Sequence, residues 1–242
     1  MQQVAPLAVG DDVVVGPSGY DDVGAVRSGV PGKVTLHTVD FFPPVVDDAF
    51  AYGAIAAANS LSDIYASGGA PSVVLNLAGF PKDWGSDVLK QVFAGAVQVI
   101  KQSGAKWVGG HSVQSADPLY GFACFGECDE SDLITNDGAE VGDLLFLTKP
   151  LGAGSITTGV KRDVADQQHV DAAVAGMMRL NDTAARAVKK AEDKEATDNT
   201  RFGLIGHAFY NSRASNVGLR FSASALPLYG GARRFAYLGG LS

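Results

Sequence analysis

The sequence predicts a mixed α/β to α+β protein built in two parts, with a carboxylate-rich site in the first part. Three observations predict it. Strand-like alternation and helix-like apolar spacing take turns along the chain. Turn signals at Asp137-Gly138 and Gly142-Asp143 separate a first section, residues 1–142, from a second, residues 143–242. Acidic side chains recur at the ends of the predicted elements of the first section.

Bulk properties narrow the class. A chain of 242 residues fits one large domain or two small ones. With 46% hydrophobic and 19% charged residues it reads as an ordinary globular protein, large enough to bury a core. A net charge of −7 argues against a basic nucleic-acid surface. An acidic protein that handles phosphate does so through local backbone amides and metal ions. The two cysteines, Cys124 and Cys128, have no matching His or Cys pair for zinc, and Cys124 lies in an apolar run that predicts a buried thiol. So few cysteines fit a reducing, cytoplasmic setting. The first nineteen residues lack the basic start and apolar run of a signal peptide. No stretch approaches the ~18 consecutive apolar residues of a membrane span.

The elements follow in order. Residues 1–20, with Gly16, Pro17 and Gly19, read as an irregular start. Residues 33–39 alternate as a strand that ends at Asp40, and Pro43-Pro44 prevents an immediate helix. Asp47 and Asp48 cap an Ala-rich helix that ends near Gly68-Gly69. Residues 72–77 form a buried strand. Ser86 caps a helix whose Leu89, Val92, Phe93, Ala96, Val97 and Ile100 share one face, and Gly104 stops it. Residues 106–110 run as a strand into a glycine turn, and residues 120–126 form another strand. In the second section, strands are predicted at 144–148 and 217–221. Helices are predicted at 151–159, at 166–193 and within 197–211, and the charged run Lys189 to Glu195 is a solvated helix end.

Chemistry concentrates on oxygen ligands. Asp21 and Asp22 follow Gly19, Asp40 ends a strand, and Asp63 sits in the last turn of the Ala-rich helix. A carboxylate there opposes the helix dipole. Asn59 lies four residues earlier, so the two polar side chains share a face that either forms a site or meets solvent. Dispersed carboxylates without a Cys or His cluster suit magnesium, which takes one or two carboxylates plus substrate phosphates. The segment Gly109-Gly110-His111-Ser112 reads either as a simple tight turn or as an anion-binding nest. No Walker or dinucleotide glycine pattern occurs.

Taken together, GYDDVGAV at 19–26, TVDFFPPVVDDAFAYGAIAAANSLSDIYASGG at 38–69, GGHSV at 109–113, FLTKPLGAG at 146–154 and ATDNTRFGLIGH at 196–207 resemble the selenophosphate synthetases in order and spacing, over almost the whole chain. The resemblance implies a two-part fold like that of aminoimidazole ribonucleotide synthetase. It has an N-terminal ATP- and magnesium-binding α/β domain that pairs with a second subunit, and a C-terminal α+β domain that continues past Ser242 in the family. It implies the conversion of ATP, selenide and water to selenophosphate, AMP and orthophosphate in the cytoplasm, by a homodimer or a heterodimer with a full-length homologue. By position it implies Asp22, Asp63 and Asp198 as metal ligands. Asp40, Asn59, Asp63, Gly109, Gly110, His111 and Ser112 are then the nucleotide contacts. The family's reactive Cys or selenocysteine and its following Lys have no counterpart here, so no catalytic residue is assigned. Arg201 stands where the family has a glycine, and there it either blocks a turn or offers a guanidinium to phosphate. A non-catalytic nucleotide-binding paralogue and another small-molecule kinase of the superfamily are the two alternatives. Neither nucleic acid nor membrane is an expected partner.

Overall fold

A computed structural model of the chain describes residues 10–238. Strands β1 (Val13–Val15), β2 (Gly24–Arg27) and β3 (Lys33–Phe42) are followed by helix α1 (Ala49–Ala66), β4 (Ala70–Phe80), α2 (Ser86–Ser103), β5 (Lys106–Gln114) and β6 (Leu119–Asp129). A short 3-10 turn leads to five further helices: α3 (Ala153–Lys161), α4 (Gln167–Met178), α5 (Asp182–Ala191), α6 (Gly203–Ser215) and α7 (Ala232–Tyr237). The reading of the first nine residues and of the last four lies outside the described residues.

The six strands form one sheet in the order β1-β2-β3-β6-β4-β5. Neighbours are antiparallel except β4 and β5, which run parallel because α2 carries the chain back between them. Alternation sorts the sheet's faces. Val34, Leu36, Val74, Phe122 and Cys124 point to one side, where they are fully buried against the helices. Helix α1 lies across that side, and its N-terminus is fixed by Asp48, whose Oδ1 accepts from Ala51 N at 2.7 Å. Helix α2 ends at Gly104, whose φ of 79° sets the left-handed cap.

The first part matches its expected elements, with β1 and β2 as additions. Four local expectations are corrected. Ser86 is the first residue of α2 and Gly85 the capping position, without a side-chain cap. The GGHS segment is no turn: β5 runs through it, paired to β4 from Val73↔Lys106 to Phe80↔Gln114, with a register shift at Val108 just before it. The predicted helix 166–193 is two helices, because Arg179 turns extended, Leu180 drops into the main core and Asn181 caps a new start. Residues 144–148 and 217–221 form no strand, and among the described residues no neighbouring strand pairs with them. Leu144 and Phe146 stand 78% and 79% exposed as a result.

The helical second part packs on the back of α1 through α4 and α5. Asn181 Nδ2 donates to Ser62 Oγ at 2.9 Å and Leu180 enters the core of the first part. A smaller cluster of Ile156, Ala173, Ala232 and Phe235 holds α3, α4 and α7 together.

Candidate functional site

The site grows from four backbone segments: strand β3, helix α1, the loop before α6 and the segment between β1 and β2 that carries Asp22. Strand β3 presents Thr38 and Asp40 on its helix-facing side, and α1 answers with Asn59 and Asp63, one turn apart. Thr38 Oγ1 donates to Asp63 Oδ2 at 2.5 Å, and Asn59 Nδ2 donates to Asp40 Oδ2 at 2.6 Å. Ser60 Oγ donates to the backbone oxygen of Asp40 at 3.1 Å. Asp63 is only 8% exposed, so the polar face of α1 is not a solvated surface, and its side chains need partners.

The third segment is the loop before α6. The backbone N of Asp198 donates to Asp22 Oδ2 at 3.0 Å, and Thr197 Oγ1 lies 3.2 Å from Asp22 Oδ1. The chain around Asp22 is anchored on both sides. Asn136 N donates to Asp21 Oδ1 at 2.8 Å, and the Tyr20 ring stacks on Tyr210 of α6 with centroids 4.5 Å apart. Asp21 therefore serves the backbone, while Asp22 faces the other carboxylates.

Electrostatics mark the cluster. Burial pushes the Asp63 carboxyl well above its ordinary value, and the charges of Asp40, Asp22 and Asp198 push it further. Burial raises Asp22 to about 7 against the hydrogen bond from Asp198, and burial likewise raises Asp198 to about 7. Asp40 is raised by burial and held back by Asn59, with a smaller help from Arg201. Asp198 Oδ2 is buried without a hydrogen-bond partner. Four carboxylates thus face one another with little to compensate them, which costs free energy unless protons or cations intervene.

The donor set fits a hard cation. Among the described residues no three His, Cys, Asp or Glu side chains converge into a ready metal cage. Magnesium does not need one, since it takes one or two carboxylates and fills its octahedron with water and phosphate oxygens. The unpartnered Asp198 Oδ2 and the mutual repulsion of the carboxylates are the features such an ion relieves.

The structure places the GGHS segment apart from this cluster. Gly109, Gly110, His111 and Ser112 are exposed on the edge strand β5. Gly110 pairs with Asn76, Asn76 with Phe122, and Phe122 with Asp40, so one row across the sheet joins the two regions. Three strand spacings separate its ends, roughly 14 Å. Arg201, expected either to block a turn or to meet phosphate, is unstrained: the positive φ of its segment, 64°, falls at Gly203. Its guanidinium lies over the Phe202 ring, 5.0 Å from the centroid.

Three contributors escaped the sequence reading. Lys149 of the TKPLG segment faces Asp198, whose carboxyl it draws down, and its Nζ donates to Arg179 O at 2.5 Å. Thr197 and His207 brace Asp22 and its loop. All three were visible only as parts of matched segments. Beside these residues opens a cavity of about 630 Å³, bounded by Asn59, Lys149, Asn181, Asp198, His207 and Asn211.

Comparison with known proteins gives the family and the fold. The family described as AIR synthase related protein, N-terminal domain, matches residues 20–128. The chain is 41% identical over 228 residues to the selenide, water dikinase of Geobacter metallireducens, covering 93% of this chain and 66% of that protein. It is 36% identical over 240 residues to the selenide, water dikinase of Sulfurovum sp., covering 99% of this chain and 70% of the relative. The chain thus spans about two thirds of the length of these relatives. Among solved structures, "AaThiL complexed with AMPPCP and TMP" superposes with a TM-score of 0.77 over 92% of this chain and 73% of that one, at 20% identity, a likeness of fold.

Proposed function

The chain belongs to the selenide, water dikinase family, and from that membership we propose that it binds magnesium–ATP across Asp22, Asp40, Asp63 and Asp198 and converts ATP, selenide and water to selenophosphate, AMP and orthophosphate. The observation that carries this reading is the buried carboxylate of Asp63 surrounded by the half-buried carboxylates of Asp22, Asp40 and Asp198, the last with an unpartnered oxygen. Such a set is unfavourable alone and is stabilised by cations that bring phosphates with them.

Asp22, Asp63 and Asp198 would hold magnesium, which neutralises the phosphate chain and draws electron density from the transferred phosphoryl group. The remaining residues orient. Thr38 and Asn59 fix the Asp63 and Asp40 carboxylates in single rotamers. Lys149 contributes a positive charge beside Asp198, on the cavity side of the cluster. Gly110 lies at the far end of the Asp40 row, and with Gly109, His111 and Ser112 beside it on β5 it would meet the part of the nucleotide most distant from the carboxylates.

The same proposal covers organisation. Residues 1–142 form the ATP-binding domain, and residues 143–242 belong to the C-terminal domain. The chain acts as a homodimer in the cytoplasm. Two buried free thiols support a reducing location. Among the described residues no helix is long and apolar enough to cross a membrane.

Phosphorus NMR of the purified chain with ATP, magnesium and anaerobic selenide tests the activity. A selenophosphate resonance with AMP and orthophosphate is expected. It should vanish without selenide and fall at least about 100-fold in Asp63→Asn, in line with loss of a group that stabilises transferring charge. Unchanged ATP in a folded sample, or full turnover by the variant, would sink the proposal.

A further inference from the structure

We propose that His207 is a positioning residue for the metal site, acting through Thr197 and Thr200 to aim the Asp22 and Asp198 carboxylates. This inference rests on the reading of that site as a metal–nucleotide site. Neither the sequence pattern nor the relatives' names give His207 a role.

The argument is one of donors and acceptors. His207 Nε2 lies 3.2 Å from the backbone N of Thr200. A backbone N–H can only donate, so Nε2 is the acceptor and carries no proton. The ring proton is then on Nδ1, which lies 3.3 Å from Thr197 Oγ1. Thr197 Oγ1 accepts there, which frees its own proton for Asp22 Oδ1 at 3.2 Å. The chain therefore has one direction: His207 Nδ1–H to Thr197, Thr197 O–H to Asp22. The other Asp22 oxygen takes the N–H of Asp198 at 3.0 Å. Both oxygens of Asp22 are thus oriented by the loop that His207 grips at two points. Burial also favours the neutral ring that this pattern needs.

The placement makes the grip rigid. His207 stands in the second turn of α6, and the loop enters that helix through Gly203 at φ 64°, with Gly203 N donating to Thr200 O at 3.0 Å. The Phe202 ring closes over the imidazole with centroids 5.8 Å apart. Outer partners of metal ligands commonly act this way, fixing orientation without touching the ion.

The test reads Mn²⁺ binding by electron paramagnetic resonance, with and without ATP, alongside metal-free thermal melting. His207→Leu removes both contacts, His207→Asn keeps a donor near Nδ1, and Thr197→Val cuts the link from the other side. His207→Leu and Thr197→Val should each weaken Mn²⁺ binding by roughly 10-fold or more, the range for outer-shell partners. His207→Asn should recover most of that loss, and the Leu and Val changes should not add when combined. Wild-type binding matched by His207→Leu and Thr197→Val overturns the positioning role alone. Equal loss in the Leu and Asn variants with Thr197→Val silent overturns it too, by making His207 a packing residue. A wild-type chain that binds no Mn²⁺ overturns the metal reading itself, and this inference with it.

Discussion

Asp63 shows at the scale of one residue why the site calls for a cation. It is buried at the end of α1, where the helix dipole is unfavourable, and it faces three other carboxylates. Its folded form holds a proton far more tightly than the unfolded chain does, and Asp22 and Asp198 do so up to about 7. For a carboxyl raised in this way the native state binds more protons than the unfolded state between the unfolded value, about 4, and the folded one. Stability then falls as pH rises through that window, and it stays low above it. The metal-free protein should therefore melt several degrees lower at pH 7.5 than at pH 5. Magnesium should reverse this most strongly at the higher pH, where it no longer competes with protons. Differential scanning fluorimetry across pH, with and without magnesium, checks both signs, and a melting temperature that rises with pH in metal-free buffer would contradict the cluster. The sequence made Asp63 and Asn59 legible because they share a helix face, and Asp22, Asp40 and Asp198 legible through matched segments. Thr197 and His207 lie in the same matched segment as Asp198, but their bonds to Asp22 and to each other show only in the fold, which closes a separation of 175 positions between Thr197 and Asp22.

At the scale of elements, the decisive contact is the crossing of α1 and α2. A Cβ on Gly53 would meet Val92 O at 1.8 Å, and one on Gly95 would meet Phe50 O at 1.9 Å. The two backbones touch at reciprocal glycines, which lets α1 lie flat on the sheet with Asn59 and Asp63 turned toward β3. Neither clash can be relieved by a side chain, so Gly95→Ala must push the helices apart. The expected cost is about 2–3 kcal/mol, as for overpacked cores, and a urea midpoint within error of wild type would refute the contact. These helices and the strands beneath them were readable because their periodicity is local and their ends carry Asp48 and Gly104. The crossing itself was not readable, since the glycines that permit it sit in runs where Ala would serve the helix better. Residues 144–148 failed for the opposite reason: their composition favours a strand, but a strand needs a neighbour to pair with.

For the whole molecule, the described residues leave the sheet with one face covered and one bare. Helices α1 and α2 cover the face that carries Val34, Leu36 and Val74. Alternation sends Val39 and Phe41 of β3 and Val113 of β5 to the other face, where they stand 55%, 53% and 54% exposed. Antiparallel strands with one solvated face normally carry polar residues on it. A contiguous apolar face is instead the mark of an interface. Strand β5 adds an open edge, which natural proteins cover or pair. The proposed homodimer meets both needs with a second copy of this chain. Light scattering of the purified protein should then give twice the 25.0 kDa of one chain. Replacing Val39 and Phe41 together by Glu should give the single-chain mass, because like charges would face each other across a symmetric contact. The proposed metal site lies on the opposite, helix-covered side, so the monomeric variant should still bind Mn²⁺. A single-chain mass for the wild type would remove the homodimer, and a double variant that stayed dimeric would move the interface to another surface.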